Sequence, residues 1–478
     1  MTHHRVLLCV SALAFALSGC ASLTSDEEVV TATRASLPPL PAQWQVDGAL
    51  PGDIRIGWID ALGDPALSAF VREAQIANRD IQAPAANVEA AYALVRQARS
   101  ELFPAIDLSV TGGQSQVFDE PGVGDPPSEA FFTPDYDVSL QASWEADLWG
   151  RVRAGRNAAY ASAQAIEADF RFAQYSLAAS VASAYFAVIE AERQIDVAER
   201  NYAAYAEIDR ITRFRAREGY SNQQDVRTAA SDLADVLEGR EDVRGARRIA
   251  SRALEGLLGR YPGAESEGGF DFPVPPPPPP AGLPSELLER RPDVIAAERN
   301  VAAAFSDLDQ AKAARLPVLS LTGSVGGTSS ELEDLTDGRN LFWSIFGNVL
   351  QPIFDAGLRG ARVDEADADK RAAIATYAST ALAALQDVED NLDQVEVVRL
   401  REEAARTARD EAVEAVKLGE LRYKEGETDL IDLLSLRQRQ LSTEQNFVSI
   451  QRERIDQWVS LNLALGGSWI EPSQQAEP

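Results

Sequence analysis

Histidine and cysteine are almost missing from this chain. It holds two of each, His3, His4, Cys9 and Cys20, all ahead of residue 21. Beyond Cys20 there is neither an imidazole base nor a thiol, which excludes disulfides, thiol nucleophiles and histidine-built metal sites there. Positive charge is also short: 45 Lys plus Arg stand against 74 Asp plus Glu, a net charge of −29. A nucleic-acid partner needs a basic footprint, so none is expected. The acids are spread along the chain rather than gathered in a tail, which suits solubility or cation selection. No phosphate loop, nucleophile elbow or metal cluster is present, and no cofactor is expected.

The one long apolar run, Val6–Leu17, follows a lone charge at Arg5 and ends in Leu17-Ser18-Gly19-Cys20. It is too short to span a bilayer and reads as a signal peptide, residues 1–19. A small-residue site ending at cysteine resembles a lipobox, which makes Cys20 the expected site of a covalent lipid. One acyl chain holds a protein only weakly. Ala21, where an inner-membrane retention signal would show Asp, favours the outer membrane.

What is present in quantity is repetition. Phe103-Pro104-Ala105 and the alternating run after it are matched by Leu316-Pro317-Val318. Asp147-Leu148-Trp149-Gly150-Arg151 is answered by Asp355-Ala356-Gly357-Leu358-Arg359, and Arg215…Gly219…Asp225 by Arg422…Gly426…Asp432. Each pair is offset by roughly two hundred residues, so the half-chain is duplicated. The first repeat spans 64–258, with strands at about 105–118 and 135–147 and long helices at about 150–218 and 221–258. The second spans 285–466, with strands at about 318–326 and 341–352 and helices at about 355–425 and 428–465. A lipid-anchored linker, 20–63, precedes them, and a connector, 259–284, joins them through six successive prolines, Pro275–Pro280, a stiff polyproline II spacer. A short tail, 467–478, follows.

Local signals support these spans. Asp64-Pro65 opens a helix as cap and first residue, running to about Leu102 with a possible break at Pro84. The first three strands alternate apolar and polar residues, as half-buried strands do; the fourth, Phe342-Trp343-Ser344-Ile345-Phe346, alternates poorly and is placed by the repeat. Asp119–Pro134, rich in Pro and Gly, reads as a long loop. From Gly150 to Glu218 there is no proline and much alanine, a helix approaching about 100 Å. Gly219 and Gly426 supply the left-handed residue that ends a helix, and Ser221-Asn222-Gln223-Gln224 reads as a capping box that restarts one.

A membrane strand needs about 9–11 residues, and these segments are about that long. The fold class is therefore mainly α with membrane β: long coiled-coil-like helices and four transmembrane strands per protomer. Four strands cannot close a barrel, and lipid tolerates no open edge. Two copies would give eight strands, whose interior is filled by side chains. Three would give a 12-stranded barrel with polar faces lining water, continued by a periplasmic helical tunnel.

The residues also carry a resemblance. Trp144-Glu145-Ala146-Asp147-Leu148-Trp149-Gly150-Arg151, Leu287-Leu288-Glu289-Arg290-Arg291-Pro292-Asp293-Val294 with Ala297-Glu298, Ser320-Leu321-Thr322-Gly323, Gln351-Pro352-Ile353-Phe354-Asp355 and Arg422-Tyr423 with Gly426 are similar to the TolC-type outer-membrane efflux family, lipoprotein branch. The resemblance covers nearly the whole chain beyond the signal. It implies a homotrimer, a periplasmic adaptor, an inner-membrane pump of the resistance-nodulation-division type, and a periplasmic aperture that closes like an iris. By motif position the aperture residues fall on Asp225, Tyr423, Thr428 and Asp432, beside the adaptor-facing turns at Gly219 and Gly426. Ser435 stands where this branch usually has a second acid, followed by a divergent Leu436-Arg437, which puts cation binding at the tip in doubt. Asp225 and Asp432 also sit where a helix dipole favours carboxylates by about 0.3–1 kcal/mol. A passive export duct for small toxic solutes is the leading reading; a polypeptide secretion duct and a non-conducting coiled-coil lipoprotein remain alternatives, and an enzyme is the weakest.

Overall fold

The computed structural model describes residues 23–46, 52, 57–118, 130–265, 269, 271–335 and 337–467. The signal segment, Cys20 and nearly all of the tail lie outside the described residues. The chain is mostly helical: α1 (Asp26–Ala35), α2 (Trp58–Ala61), α3 (Pro65–Ala77), α4 (Arg79–Ser100), β1 (Ala105–Phe118), β2 (Ala130–Ala146), α5 (Arg151–Arg217), α6 (Gln223–Leu257), α7 (Pro284–Arg290), α8 (Pro292–Ala313), β3 (Val318–Ser329), β4 (Leu341–Leu350), α9 (Leu358–Glu425) and α10 (Leu430–Ala464), with a 3-10 turn at Leu332–Asp334. It divides into two units, Met1–Ser36 with Asn87–Ile166 and Ala296–Ala378, and Leu37–Ala86 with Glu167–Ile295 and Ser379–Pro478. Each draws on both halves of the sequence.

The first unit holds an antiparallel sheet in the order β1-β2-β3-β4. Its registers place Leu108 opposite Leu140, Leu140 opposite Val325 and Val325 opposite Trp343. One face is thus apolar across all four strands, from Ile106, Leu108 and Val110 through to Ile345 and Val349. Among the described residues little covers it: Ile106, Val110, Trp343 and Ile345 are each about 70 % exposed or more. The opposite face carries Asp107, Ser109, Ser139, Gln141, Thr322 and Ser324. A pattern of this kind, apolar to lipid and polar to a lumen, is what a transmembrane barrel strand requires.

The base of the sheet repeats one device. Asp147 accepts from the backbone N–H of Val152 and Arg153, and Asp355 from those of Gly357 and Arg359, so each carboxylate caps a long helix. Gly150 and Gly357, at φ 79° and 90°, make the turn between strand end and helix start. Trp144 and Trp149 donate their indole N–H to the carbonyls of Leu102 and Pro317, and Arg151 grips Glu145 with two bonds of 2.9 and 2.7 Å.

The second unit is built on Leu67, Val71, Tyr185, Phe186, Ile189, Leu254, Leu258 and Ile455, with Trp58 edge-on to Trp458 at 6.1 Å. These residues account for the most apolar stretch of α5, which is long and apolar enough to cross a membrane but is half given to this core. Asp64 caps α3 through Ala66 and Leu67 and also accepts from the Tyr185 hydroxyl at 2.7 Å. Burial, with that carboxylate alongside, pushes the Tyr185 phenol up to about 12. Asp64→Ala is expected to cost about 2 kcal/mol, since it removes the cap and Tyr185's acceptor together. Asp64→Asn should lose less, read as denaturation midpoints.

Four expectations are corrected. The first helix breaks at Asn78, not Pro84, because the Asn78 side chain accepts from the N–H of Asp80 and Ile81 and donates to Leu257, starting a new helix there. Pro84 lies inside α4, where its fixed φ is helical and one N–H is lost. β2 begins at Ala130 and takes in Pro134, which pairs with Gln114; pairing with β3 begins only at Tyr136, so no N–H is needed on Pro134's far side. The expected loop therefore gives residues 130–134 to β2, and its remainder, 119–129, lies outside the described residues. The capping box of α6 is formed by Asn222 and Asp225, with Ser221 outside it.

Candidate functional site

Within the second unit the two long-helix turns share one geometry. Gly219 and Gly426 both sit at φ 81°. Tyr220 N–H reaches back to the Arg215 carbonyl at 2.8 Å and Glu427 N–H to the Arg422 carbonyl at 2.9 Å, closing each helix with a Schellman-type bond. The chain restarts after three residues, with Asn222 and Asp429 as caps.

The acids expected at an aperture belong to these caps. Asp225 accepts from Ser221 Oγ at 2.6 Å and from Asn222 N–H at 3.3 Å. Asp432 accepts from Thr428 Oγ1 at 2.9 Å, while its own N–H donates to Asp429 at 2.9 Å. Thr428 and Asp432 are thus in contact, and each acid has one oxygen tied to its own turn. Ser435 donates to the Asp432 carbonyl at 2.8 Å rather than presenting a charge.

Tyr423 joins the two hairpins. It is 4 % exposed, packed with Ile208, Ala229, Leu430 and Leu433. Its hydroxyl lies 3.2 Å from Thr212 Oγ1, a fully buried partner. Arg215 donates to the Tyr423 carbonyl at 2.8 Å and stacks its guanidinium over the ring at 4.7 Å. Sequence reasoning treated Arg215 as a landmark of the repeat and missed this role; its place one turn before Gly219, matching Arg422 before Gly426, was the available signal. Farther up, Arg437 is ion-paired with Glu420 and bonded to Gln440 at 3.0 Å, and Leu436 packs where a Cβ on Gly419 would collide. Burial, with Asp232 nearby, pushes the Tyr205 phenol up. Among the described residues no group of three or more acids could hold a metal ion. The lipidation site expected at Cys20 is outside the described residues.

The outer membrane efflux protein family model matches residues 70–260 and 283–467. This chain belongs to that family. Its two matches fall on the two halves of the duplication, and its place is the bacterial outer membrane. The chain is similar to the solvent efflux pump outer membrane protein SrpC of Pseudomonas putida, 31% identical over 85% of this chain and 86% of the relative. It is also similar to the antibiotic efflux pump outer membrane protein ArpC of Pseudomonas putida, 30% identical over 99% of this chain and 97% of the relative. Among solved structures it resembles the outer-membrane channel OprN with a TM-score of 0.83 and 28% identity, covering 90% of this chain and 98% of that one. The family member's sheet, with one apolar and one polar face, is the part suited to lipid; the helices carry the aperture candidates.

Proposed function

We propose that this protein is the passive outer-membrane duct of a tripartite efflux system, working as a homotrimer with a periplasmic adaptor and an inner-membrane pump of the resistance-nodulation-division type. The observation that carries this is the four-stranded sheet of an efflux-family chain, apolar on one face, largely polar on the other and, among the described residues, unpaired at both edges. Three copies complete a ring of twelve strands around water, and no fewer number leaves a passage. The duct binds no cofactor and catalyses no reaction; its attachment is a lipid on Cys20. Relatives named for solvent and antibiotic efflux support small, largely apolar solutes as cargo over polypeptides.

The tip latch at Tyr423 with Asp225, Thr428 and Asp432 serves as the aperture in this reading, and the turns at Gly219 and Gly426 face the adaptor. Deleting the gene should lower the inhibitory concentration of exported solvents or antibiotics severalfold, and the purified full-length protein should form ion-conducting trimers in planar bilayers. Unchanged susceptibility in a strain without a redundant channel, together with trimers that pass no current, would reject the duct.

A further inference from the structure

β4 is the strand whose alternation fails in the sequence, and the register shows on which face. Ser344 shares a hydrogen bond of 2.6 Å with Ser324, which fixes both on the polar side of the sheet. Phe342 and Phe346 lie two residues to either side of Ser344, opposite Gly326 and Thr322, and Leu350 lies opposite Val318. β4 therefore turns apolar side chains to both faces. Phe346 is 65 % and Leu350 61 % exposed. At the polar-face positions within 105–115 of β1, 133–145 of β2 and 318–328 of β3 there is no aromatic residue; they include Asp107, Ser109, Thr111, Asp137, Gln141, Ser143, Ser320 and Thr322.

The same face has a one-sided charge. Asp107, Asp135, Asp137 and Glu145 are the charged residues of the four strands, which contain no Lys or Arg. Glu145 is matched by Arg151 at the strand's base; Asp107 is exposed on β1. β1 and β4 are the two edges. Closing the sheet with further copies sets the pore side of β4 beside the pore side of the next copy's β1, at any register that keeps the faces matched. A row of phenyl rings then adjoins a row bearing Asp107.

We propose that this seam is a binding surface for lipophilic organic cations passing through the duct. The inference rests on the trimeric duct reading. A phenyl face attracts a cation whose charge is weakly hydrated, carboxylates without counter-cations supply the field, and an exposed apolar stripe in an otherwise polar wall marks an interaction site. A neutral hydrocarbon meets only the stripe and a small inorganic cation only the acids. The class served by both is a bulky aromatic or alkyl cation.

The test uses the full-length protein in planar bilayers carrying a potassium current. Tetraphenylphosphonium should block the wild-type current at about tenfold lower concentration than tetramethylammonium. Phe346→Ser, and more so Phe342→Ser with Phe346→Ser, should bring the two cations within about threefold while leaving the potassium current near wild type; Phe346→Tyr, which keeps the ring, should retain the difference. Asp107→Asn should weaken block by both cations alike. Equal block by the two cations in the wild type, or an unchanged ratio in the double variant, overturns the proposal and leaves the duct standing. Absence of any current from the wild-type trimer overturns the duct and the seam with it.

Discussion

Arg291→Ala is expected to destabilise the protein by about 3 kcal/mol, a loss on the scale of truncating a large core side chain. The guanidinium is 8 % exposed and makes contact in every direction. Its Nε donates to both oxygens of Asp293 at 2.9 and 3.1 Å, and Nη2 to Asp387 at 2.8 Å. Nη1 lies 3.4 Å from the carbonyls of Ala384 and Ala464, the latter the last residue of α10, where orphan carbonyls favour a cation. The group also stands 5.9 Å from the Phe172 ring. One side chain thereby ties α5, α8, α9 and α10 together. Removing one partner of a buried ionic cluster typically costs about 3–5 kcal/mol; the lower end applies because Asp387 is half exposed and can rehydrate.

The pH dependence follows from what is left behind. Asp169 already has its carboxyl pushed up by burial and by the nearby Asp293. Without Arg291, Asp293 loses its counter-charge, and its repulsion of the buried Asp169 carboxylate is no longer offset. A carboxyl whose pKa is higher folded than unfolded contributes stability that falls as pH climbs between the two values. The deficit of Arg291→Ala should therefore be larger at about pH 8 than at about pH 4.5. Arg291→Lys should recover less than half, since a point charge cannot reach Asp293, Asp387 and two carbonyls at once. Equilibrium unfolding of the detergent-solubilised protein measures this; a loss under about 0.5 kcal/mol at neutral pH would show that Arg291 is not a hub.

Arg291 also shows where sequence reading stops. The run Arg290-Arg291-Pro292-Asp293 was legible as a family signature, yet no period or spacing says that one arginine is buried against four helices. The elements that were legible are those with local causes: Asp64-Pro65 as a start, Gly219 and Gly426 as ends, alternation in β1 to β3. The duplication carried β4, whose own pattern is ambiguous because Phe342 and Phe346 break it. The errors share a cause. Asn78 and Asn222 each outcompeted a more conspicuous neighbour, Pro84 and Ser221, through side-chain bonds to the backbone two or three residues on, and several residues nearby could have made them. Motif position marks Asp225 and Asp432 as aperture candidates, whereas the bonds that tie each to its own turn are seen only in the fold. Arg215 and Thr212 were missed because their partner, Tyr423, is some two hundred residues away, and long-range pairing of this kind leaves no local mark.

Those bonds set the order of effects expected at the tip. In the resting channel Arg215→Ala removes a charge-assisted bond to the Tyr423 carbonyl and a guanidinium over its ring, together about 2 kcal/mol, and should shift the closed–open balance some thirtyfold toward conduction. Tyr423→Phe removes only the hydroxyl contact with Thr212, about 1 kcal/mol, or roughly fivefold. Asp432 needs two substitutions, because its carboxylate serves both the turn and any aperture charge. Asp432→Ala removes both and should raise resting conductance; Asp432→Asn keeps an acceptor for Thr428 Oγ1 and removes only the charge. If the two conduct alike, repulsion and counter-ion binding among three carboxylates govern the aperture. If Asn behaves as wild type while Ala leaks, the turn is what matters, as Ser435 in place of a second acid already suggests. Single-channel conductance at fixed salt reads all four variants, and a series in which Arg215→Ala stays as closed as wild type would remove the latch from the gate and leave it as packing between two hairpins.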